Sequence, residues 1–219
     1  MLLENIDWTQ IGVASLDTLA MLGGALFFTV LLGLPLGVVL FLTGRNQLLA
    51  QGFVYSVLSF VLNILRSVPF IILLIVLMPA TTLLTGTSLG VRGVIPPLVV
   101  GTTAFFARLV ETALREVDRG VTEASLAMGA TTGQIVRRAL LPEARPGIIA
   151  AVTVTAIVLV DYTAMSGAIG GGGIGDLAIR YGYQRYQTDI MVVTVLLLII
   201  LVQCLQALGN FLVTRFTRR

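Results

Sequence analysis

The 219-residue sequence has no histidine, no lysine and only one cysteine, Cys204. A single cysteine excludes a disulfide within the chain, and without histidine too few side chains remain for a structural zinc site. A P-loop needs a lysine after its glycines to hold phosphates, so a standard ATP site is excluded as well. With no convincing pair of nucleophile and base either, we expect no cofactor, no metal and no enzyme active site in this chain.

Charged residues are also scarce, at 11% of the chain, whereas hydrophobic residues make up 57% and the mean hydropathy is +0.99. A soluble domain carries about a quarter charged residues. The net charge of +3 comes from arginines near the ends of apolar runs, a distribution typical of membrane topology rather than of nucleic-acid binding. The composition therefore predicts an integral membrane protein with no nucleic-acid partner.

Five apolar runs have the length of about 20 residues that a membrane-spanning helix needs. The predicted spans cover residues 19–42, 53–78, 91–113, 147–169 and 190–213. We expect an all-α integral membrane fold with five transmembrane helices, although Arg66 is out of place inside the second run. In the first run, Gly33 and Gly37 form a G-x-x-x-G pair, which marks either a close helix contact or a chance occurrence.

An odd number of spans places the termini on opposite sides, and the arginines decide which side is cytoplasmic. Eleven arginines fall on one side, and only three fall on the other, namely Arg92, Arg180 and Arg185. Because cytoplasmic loops are enriched in basic residues, the N-terminus is predicted outside and the C-terminus in the cytoplasm. We assign residues 1–14 to an external segment, 15–206 to the transmembrane domain, and 207–219 to the end of the last helix and a cytoplasmic tail.

The long polar loop, residues 115–145, is predicted to be cytoplasmic and to contain two short helices. Asp118 can cap the first helix and Gly129 can end it. Thr131 and Gln134 have the spacing of a capping box at the start of the second helix. The loop should therefore have defined structure.

The ends of this loop leave one firm expectation and one open question. The second helix should stop by Leu141, because Pro142 disfavours helix in the residue before it, and Pro142 and Glu143 suit the first turn of the fourth span. The first helix is rich in alanine and lacks a long polar face. It is either a docking element for another protein or an ordinary connector packed on the bundle, and composition leaves both interpretations open.

The spacing of residues in this loop resembles the EAA signature of ABC-importer permeases, in which E-A-A is followed by a glycine and then by L-P. The matching residues are Glu123, Ala124, Gly129, Leu141 and Pro142. Two positions depart from the pattern. Ser125 replaces the second alanine of E-A-A, and Ala139 replaces an isoleucine that the signature has two residues before L-P. Both substitutes are small, so we expect the docking geometry to be kept.

The resemblance implies a type I ABC importer permease fold whose first loop helix couples to an ATPase. The coupling residues would be Glu123, Ala124, Ser125, Gly129, Leu141 and Pro142. The implied partners are a second copy of the permease, two cytoplasmic ATPases that bind the ATP and magnesium, and an external substrate-binding lipoprotein. The implied location is the bacterial inner membrane.

Three further segments resemble the methionine-importer permeases more narrowly. These are RSVPFIILL from Arg66, AMGAT from Ala127 and AIRYGYQ from Ala178. The resemblance covers roughly residues 15–206 and implies a homodimeric permease for D- or L-methionine.

Asp161 is an ionisable residue inside the fourth predicted span, and such residues normally face a cavity or a partner. Tyr162, Met165 and Ser166 lie within about one turn of it. The four residues are therefore candidates for lining a transport pathway, or Asp161 forms a structural pair with an arginine such as Arg66. Methionine permeases resembling this chain usually have a small residue here, so another amino acid or a small amine is the alternative cargo.

A different class of function is a channel or carrier that acts alone. The long loop resembling the EAA signature argues against it, because a channel does not need an ATPase-docking segment.

Overall fold

The computed structural model describes residues 7–217, which fold into helices and turns with no strand among them. Four helical stretches are long and apolar enough to cross a membrane. They are α1 (Trp8–Thr43), α4 (Gly90–Arg115), α8 (Arg145–Ser166) with its 3-10 extension to Ile169, and α10 (Thr188–Phe216). The predicted all-α membrane fold is confirmed, and these four stretches contain the predicted first, third, fourth and fifth spans.

The second predicted span is not one straight helix. Residues 53–78 fall on α2 (Gly52–Ser67) and α3 (Phe70–Thr85), which meet at an angle of 106°. The bend lies at Val68, whose extended backbone, with ψ of 125°, follows from the proline after it. Pro69 has no N–H to continue the helix. Taken together, α2 and α3 are long and apolar enough for the second predicted span, which is then broken at Val68.

The remaining elements are short and connect the long helices. They are α5 (Arg119–Ala127), α6 (Thr132–Ile135), a π-helical turn (Val136–Leu140), α7 (Leu141–Glu143), α9 (Gly173–Leu177) and a second π-helical turn (Ala178–Tyr183).

α1 packs closely against α4 through the two glycines of the G-x-x-x-G pair. A Cβ added at Gly37 would lie 2.6 Å from the carbonyl oxygen of Ala107, and one at Gly33 would lie 2.7 Å from the ring of Phe106. A buried hydrogen bond of 2.7 Å between the hydroxyls of Thr29 and Thr102 also joins the two helices. The glycines thus mark a close helix contact and not a chance occurrence.

The start of α1 falls inside the predicted external segment. α1 begins at Trp8, after Asp7 caps it by accepting a hydrogen bond of 2.9 Å from the Thr9 N–H. Part of residues 1–14 is therefore helical, while residues 1–6, like Arg218 and Arg219 of the tail, lie outside the described residues. The domain boundaries and the orientation of the termini stay predictions.

Candidate functional site

The first loop helix, α5, has the two ends that the sequence predicted. At its start, the Asp118 carboxylate accepts a hydrogen bond of 2.6 Å from the Gly120 N–H. At its end, Gly129 adopts a φ of 76°, and its N–H donates to Leu126 while the next N–H, of Ala130, donates to Ser125. This pair of bonds is a Schellman motif, which needs a left-handed residue and hence favours glycine.

α5 stands away from the bundle. Among its EAA-like residues only Ser125 is buried, and its hydroxyl donates a hydrogen bond of 2.7 Å to the Val121 carbonyl within the helix. Glu123 and Ala124 are exposed. Because the Ser125 hydroxyl is satisfied inside α5, the departure from alanine leaves the outer face of the helix unchanged.

The outer face of α5 is apolar as well as exposed. Leu126 is 50% exposed and Met128 at the C-cap is 80% exposed, beside the small residues Ala124 and Ala127. Exposed apolar patches are typical of protein contact sites. This exposure favours the interpretation of α5 as a docking element over that of a connector packed on the bundle, and the docking role stays a prediction.

The second loop helix has the predicted start, with both bonds of the capping box present. The Thr131 N–H donates to the Gln134 side chain at 2.9 Å, and the Gln134 N–H donates to the Thr131 hydroxyl at 3.4 Å.

The predicted stop at Leu141 is wrong. The helix passes from α6 through the π-helical turn into α7, and α8 begins only at Arg145. In that turn the Leu141 N–H donates to the Val136 carbonyl, one residue further back than in an α-helix. A proline ring collides with the carbonyl four residues before it in a regular α-helix, and the wider turn before Pro142 makes room for the ring.

Leu141 and Pro142 are half-buried, and their neighbours anchor the loop in the core. Ile135 and Leu140 are each 1% exposed. They belong to a buried cluster that contains Phe106, Val110 and Leu114 of α4 together with residues of α1. The loop therefore has an exposed half, α5, and a half built into the bundle.

A cleft of about 540 Å³ separates α5 from the turn that follows α1. Asn46 and Gln47 line it on one side, and Thr122, Glu123 and Leu126 line it on the other. α5 is thus separated from the bundle by open space on this side.

An ion cluster links α4 to α2 at this end of the molecule. The Glu111 carboxylate, 4% exposed, accepts hydrogen bonds of 2.7 Å from both Arg108 and Arg115. The spacing of these three residues, three and four apart, is that of a helical ion-pair ladder. The sequence reading missed that Tyr55 donates to Glu111 at 3.2 Å and that Arg108 donates to Asn63 at 3.3 Å.

A signal for the missed residues was available in α2. Its polar side chains recur at helical spacing, at Tyr55, Ser59, Asn63 and Arg66. Residues three or four apart share a helix face, so this stripe predicts a polar partner on a neighbouring helix.

The four candidate pathway residues divide between two faces of α8. Asp161 and Met165 are exposed, Met165 by 49%. Tyr162 points into the bundle, where its ring stacks on Phe70 with centroids 4.1 Å apart and planes 8° apart. Ser166 is fully buried, and its hydroxyl donates to the Thr163 carbonyl at 2.7 Å.

The alternative of a structural pair between Asp161 and Arg66 is not supported. Within residues 7–217 neither side chain forms an ion pair, and Arg66 instead lines a small cavity with Tyr162. The described part of the chain also contains no cluster of three or more His, Cys, Asp or Glu side chains that could bind a metal ion.

Comparison with known families shows which family the chain belongs to. The family model described as binding-protein-dependent transport system inner membrane component matches residues 30–219. The chain belongs to this family.

Individual members of the family are similar to the chain over nearly all of its length. It is 49% identical to the probable D-methionine transport system permease protein MetI of Vibrio cholerae, over 90% of this chain and 87% of the relative. It is 44% identical to the methionine import system permease protein MetP of Bacillus subtilis, over 98% and 97% of the two chains. The resemblance to methionine-importer permeases is thereby confirmed.

Solved structures of ABC transporters are also similar to the chain. A chain of the MetNI methionine ABC transporter, in a study of its inward-facing conformations, matches with a TM-score of 0.95 and 46% identity, over 98% of this chain and 99% of that one. An amino acid ABC transporter with histidines matches with a TM-score of 0.80 at 18% identity, which shows a shared fold alone.

Proposed function

We propose that this chain is the permease subunit of an ATP-driven importer of the bacterial inner membrane and forms the transmembrane pathway for methionine. The near-full-length match to the permease of the MetNI methionine transporter carries this conclusion. The names of the related MetI and MetP permeases support the same cargo.

The energy for transport comes from a separate ATPase, because the chain has no lysine with which to build a P-loop. ATP and magnesium would be bound there. The functional unit would contain two copies of the permease, two ATPases and an external substrate-binding protein.

The coupling loop supplies a mechanical route from the ATPase to the pathway. Glu123, Ala124 and the neighbouring apolar residues of α5 form the exposed docking face, and Gly129 closes the helix with its left-handed turn. From Thr132 onward the backbone stays helical through Leu141 and Pro142 up to α8. A displacement of α5 would therefore pass through the turn at Gly129 to this helical segment, which leads to the part of α8 that carries Asp161.

The exposed face of α8 is the best candidate for the pathway wall. An ionised carboxylate inside a span is costly against lipid, so the Asp161 face must meet water or another copy of the chain. Met165 shares this face, four residues further on. Ser166 is fully buried and is better described as a residue that holds α8 in place. Tyr162 is half-buried, stacks on Phe70 and also lines a small cavity beside Arg66.

Uptake into proteoliposomes tests the cargo. Vesicles that contain the permease, its ATPase and its binding protein should accumulate labelled methionine only when ATP is present, and unlabelled methionine should compete. Asp161 favours an amine-bearing solute as the second candidate. Robust uptake of such a solute without competition by methionine would leave the permease assignment standing and contradict the cargo.

Cysteine labelling tests the predicted orientation. In a Cys204→Ser background, single cysteines at Thr131 and at Gln184 should react differently with a membrane-impermeant reagent added to intact cells. We expect labelling at position 184, in the loop between α8 and α10, and none at position 131 until the cells are opened. Labelling of position 131 in intact cells would contradict the predicted orientation.

A further inference from the structure

We propose that the break between α2 and α3 forms a subsite for the carboxylate of the transported amino acid, with Arg66 as the residue that binds it. This inference rests on the proposed import function and assigns a place in the pathway to one functional group of the cargo.

The subsite is a cavity of about 170 Å³ at the 106° bend. Arg66 and Val68 line it from the end of α2, and Phe70 lines it from the start of α3. Gly101 and Tyr162 close it from α4 and α8. The volume is several times the roughly 30 Å³ that one water molecule occupies, so the cavity has room for a small polar group with part of its side chain.

Arg66 lies at the middle of the second predicted span, residues 53–78. It is the fifteenth residue of α2, so it lies about 20 Å along the helix from Gly52. A cationic residue at such a depth is expensive and is normally retained for a pathway or a ligand. The cavity therefore has a functional group whose presence packing alone does not explain.

The charge of Arg66 is uncompensated, unlike that of its neighbours. A groove of about 470 Å³ on the same side of the molecule contains Arg66, Arg108 and Arg115. Arg108 and Arg115 both bind Glu111, whereas Arg66 is exposed and forms no ion pair within residues 7–217. A guanidinium binds a carboxylate through two parallel hydrogen bonds, which makes the carboxylate of an amino acid a fitting ligand.

The walls of the cavity suit the other end of methionine. The stacked rings of Phe70 and Tyr162 and the ring of Phe105 supply an aromatic surface beside the guanidinium. A thioether sulfur makes favourable contacts with aromatic rings. The site thus combines a cation for the carboxylate with an apolar wall for the side chain.

The same groove gives the bound carboxylate a way out. It shares Arg66 and Phe105 with the cavity and extends to Thr112 and Arg115 at the end of α4 that leads into the coupling loop. Three arginines and one carboxylate, that of Glu111, give the groove a net positive charge, which favours an anionic group. Because Arg108 and Arg115 already bind Glu111, Arg66 would be the main cationic contact on this route.

Competition binding tests the subsite in the detergent-solubilised complex of the permease with its ATPase, without the binding protein. Labelled methionine is displaced by unlabelled methionine or by methioninol, which has an alcohol in place of the carboxylate. In the wild type, methionine should compete at a concentration about ten-fold or more below that of methioninol, because the charged hydrogen bonds are lost in the alcohol. In Arg66→Gln, methionine should compete no better than methioninol. Arg66→Lys should keep part of the preference for methionine over methioninol.

Arg92→Gln is the matched control, because Arg92 lies at the other end of α4 and does not line the cavity. It should keep the wild-type preference. Absence of methionine binding to the wild-type complex, or an unchanged preference in Arg66→Gln, would overturn the subsite.

ATP-dependent methionine uptake by the wild type in proteoliposomes is measured in parallel, and its absence would instead contradict the proposed function. ATP hydrolysis and size-exclusion profiles establish that each variant is assembled, and Arg66→Lys provides the comparison if Arg66→Gln does not fold.

Discussion

Replacing Gly37 with alanine is expected to lower the melting temperature of the detergent-purified protein by about 5 °C or more, the size of shift that follows when overpacking costs about 2 kcal/mol. The new methyl group would lie 2.6 Å from the carbonyl oxygen of Ala107 and 2.6 Å from the Cβ of Val110. Neither atom can rotate out of the way, so α1 and α4 must separate. The measurement is a thermal unfolding curve followed by size-exclusion chromatography.

Gly23→Ala in the same helix is the control. A Cβ at Gly23 meets no atom within 4 Å, and alanine in a helix interior is favoured over glycine by about 0.5–1 kcal/mol. This variant should be as stable as the wild type or slightly more so. Equal melting temperatures for the two variants would show that the close contact between α1 and α4 does not limit stability.

Local hydrogen-bond chemistry made the ends of the loop helices predictable. Asp118, Gly129 and the pair of Thr131 and Gln134 were assigned from side-chain types and spacing, and all of them make the bonds that these types favour. Each such bond joins residues only a few positions apart, so it does not depend on the rest of the fold.

The broken second span and the uninterrupted loop helix were beyond the same reasoning. The run over residues 53–78 is apolar on average, and hydropathy measures polarity rather than the direction of the chain. Pro69 causes a sharp bend, whereas Pro142 is accommodated by a π-helical turn. A proline restricts its neighbours in both cases, but packing around the loop decides whether the helix ends or widens.

The four candidate pathway residues all lie on α8, but their division between two faces of the helix was not predicted. Asp161 and Met165 are four residues apart, as are Tyr162 and Ser166, so helical geometry alone divides them into two faces about 100° apart. Which pair is exposed depends on where α3 lies, since Phe70 covers Tyr162. That contact joins residues far apart in the sequence and was not predictable from spacing.

Replacing Gly129 with tryptophan should reduce methionine uptake and substrate-stimulated ATP hydrolysis by more than about ten-fold, while the spans stay folded. A Cβ at Gly129 meets no atom of the chain within 4 Å, so the only cost inside the permease is the left-handed backbone, about 1–2 kcal/mol. The indole would instead project from the exposed docking face of the coupling loop and collide with the ATPase. Two variants serve as controls. Asparagine tolerates the same positive φ and adds little bulk, so Gly129→Asn should keep most of the transport activity.

The second control, Gly12→Trp, tests the addition of a tryptophan as such, because Gly12 has equally open space at the far end of α1. Full uptake by Gly129→Trp would show that this end of α5 does not touch the ATPase. Equal losses in the asparagine and tryptophan variants would assign the defect to the turn itself rather than to docking.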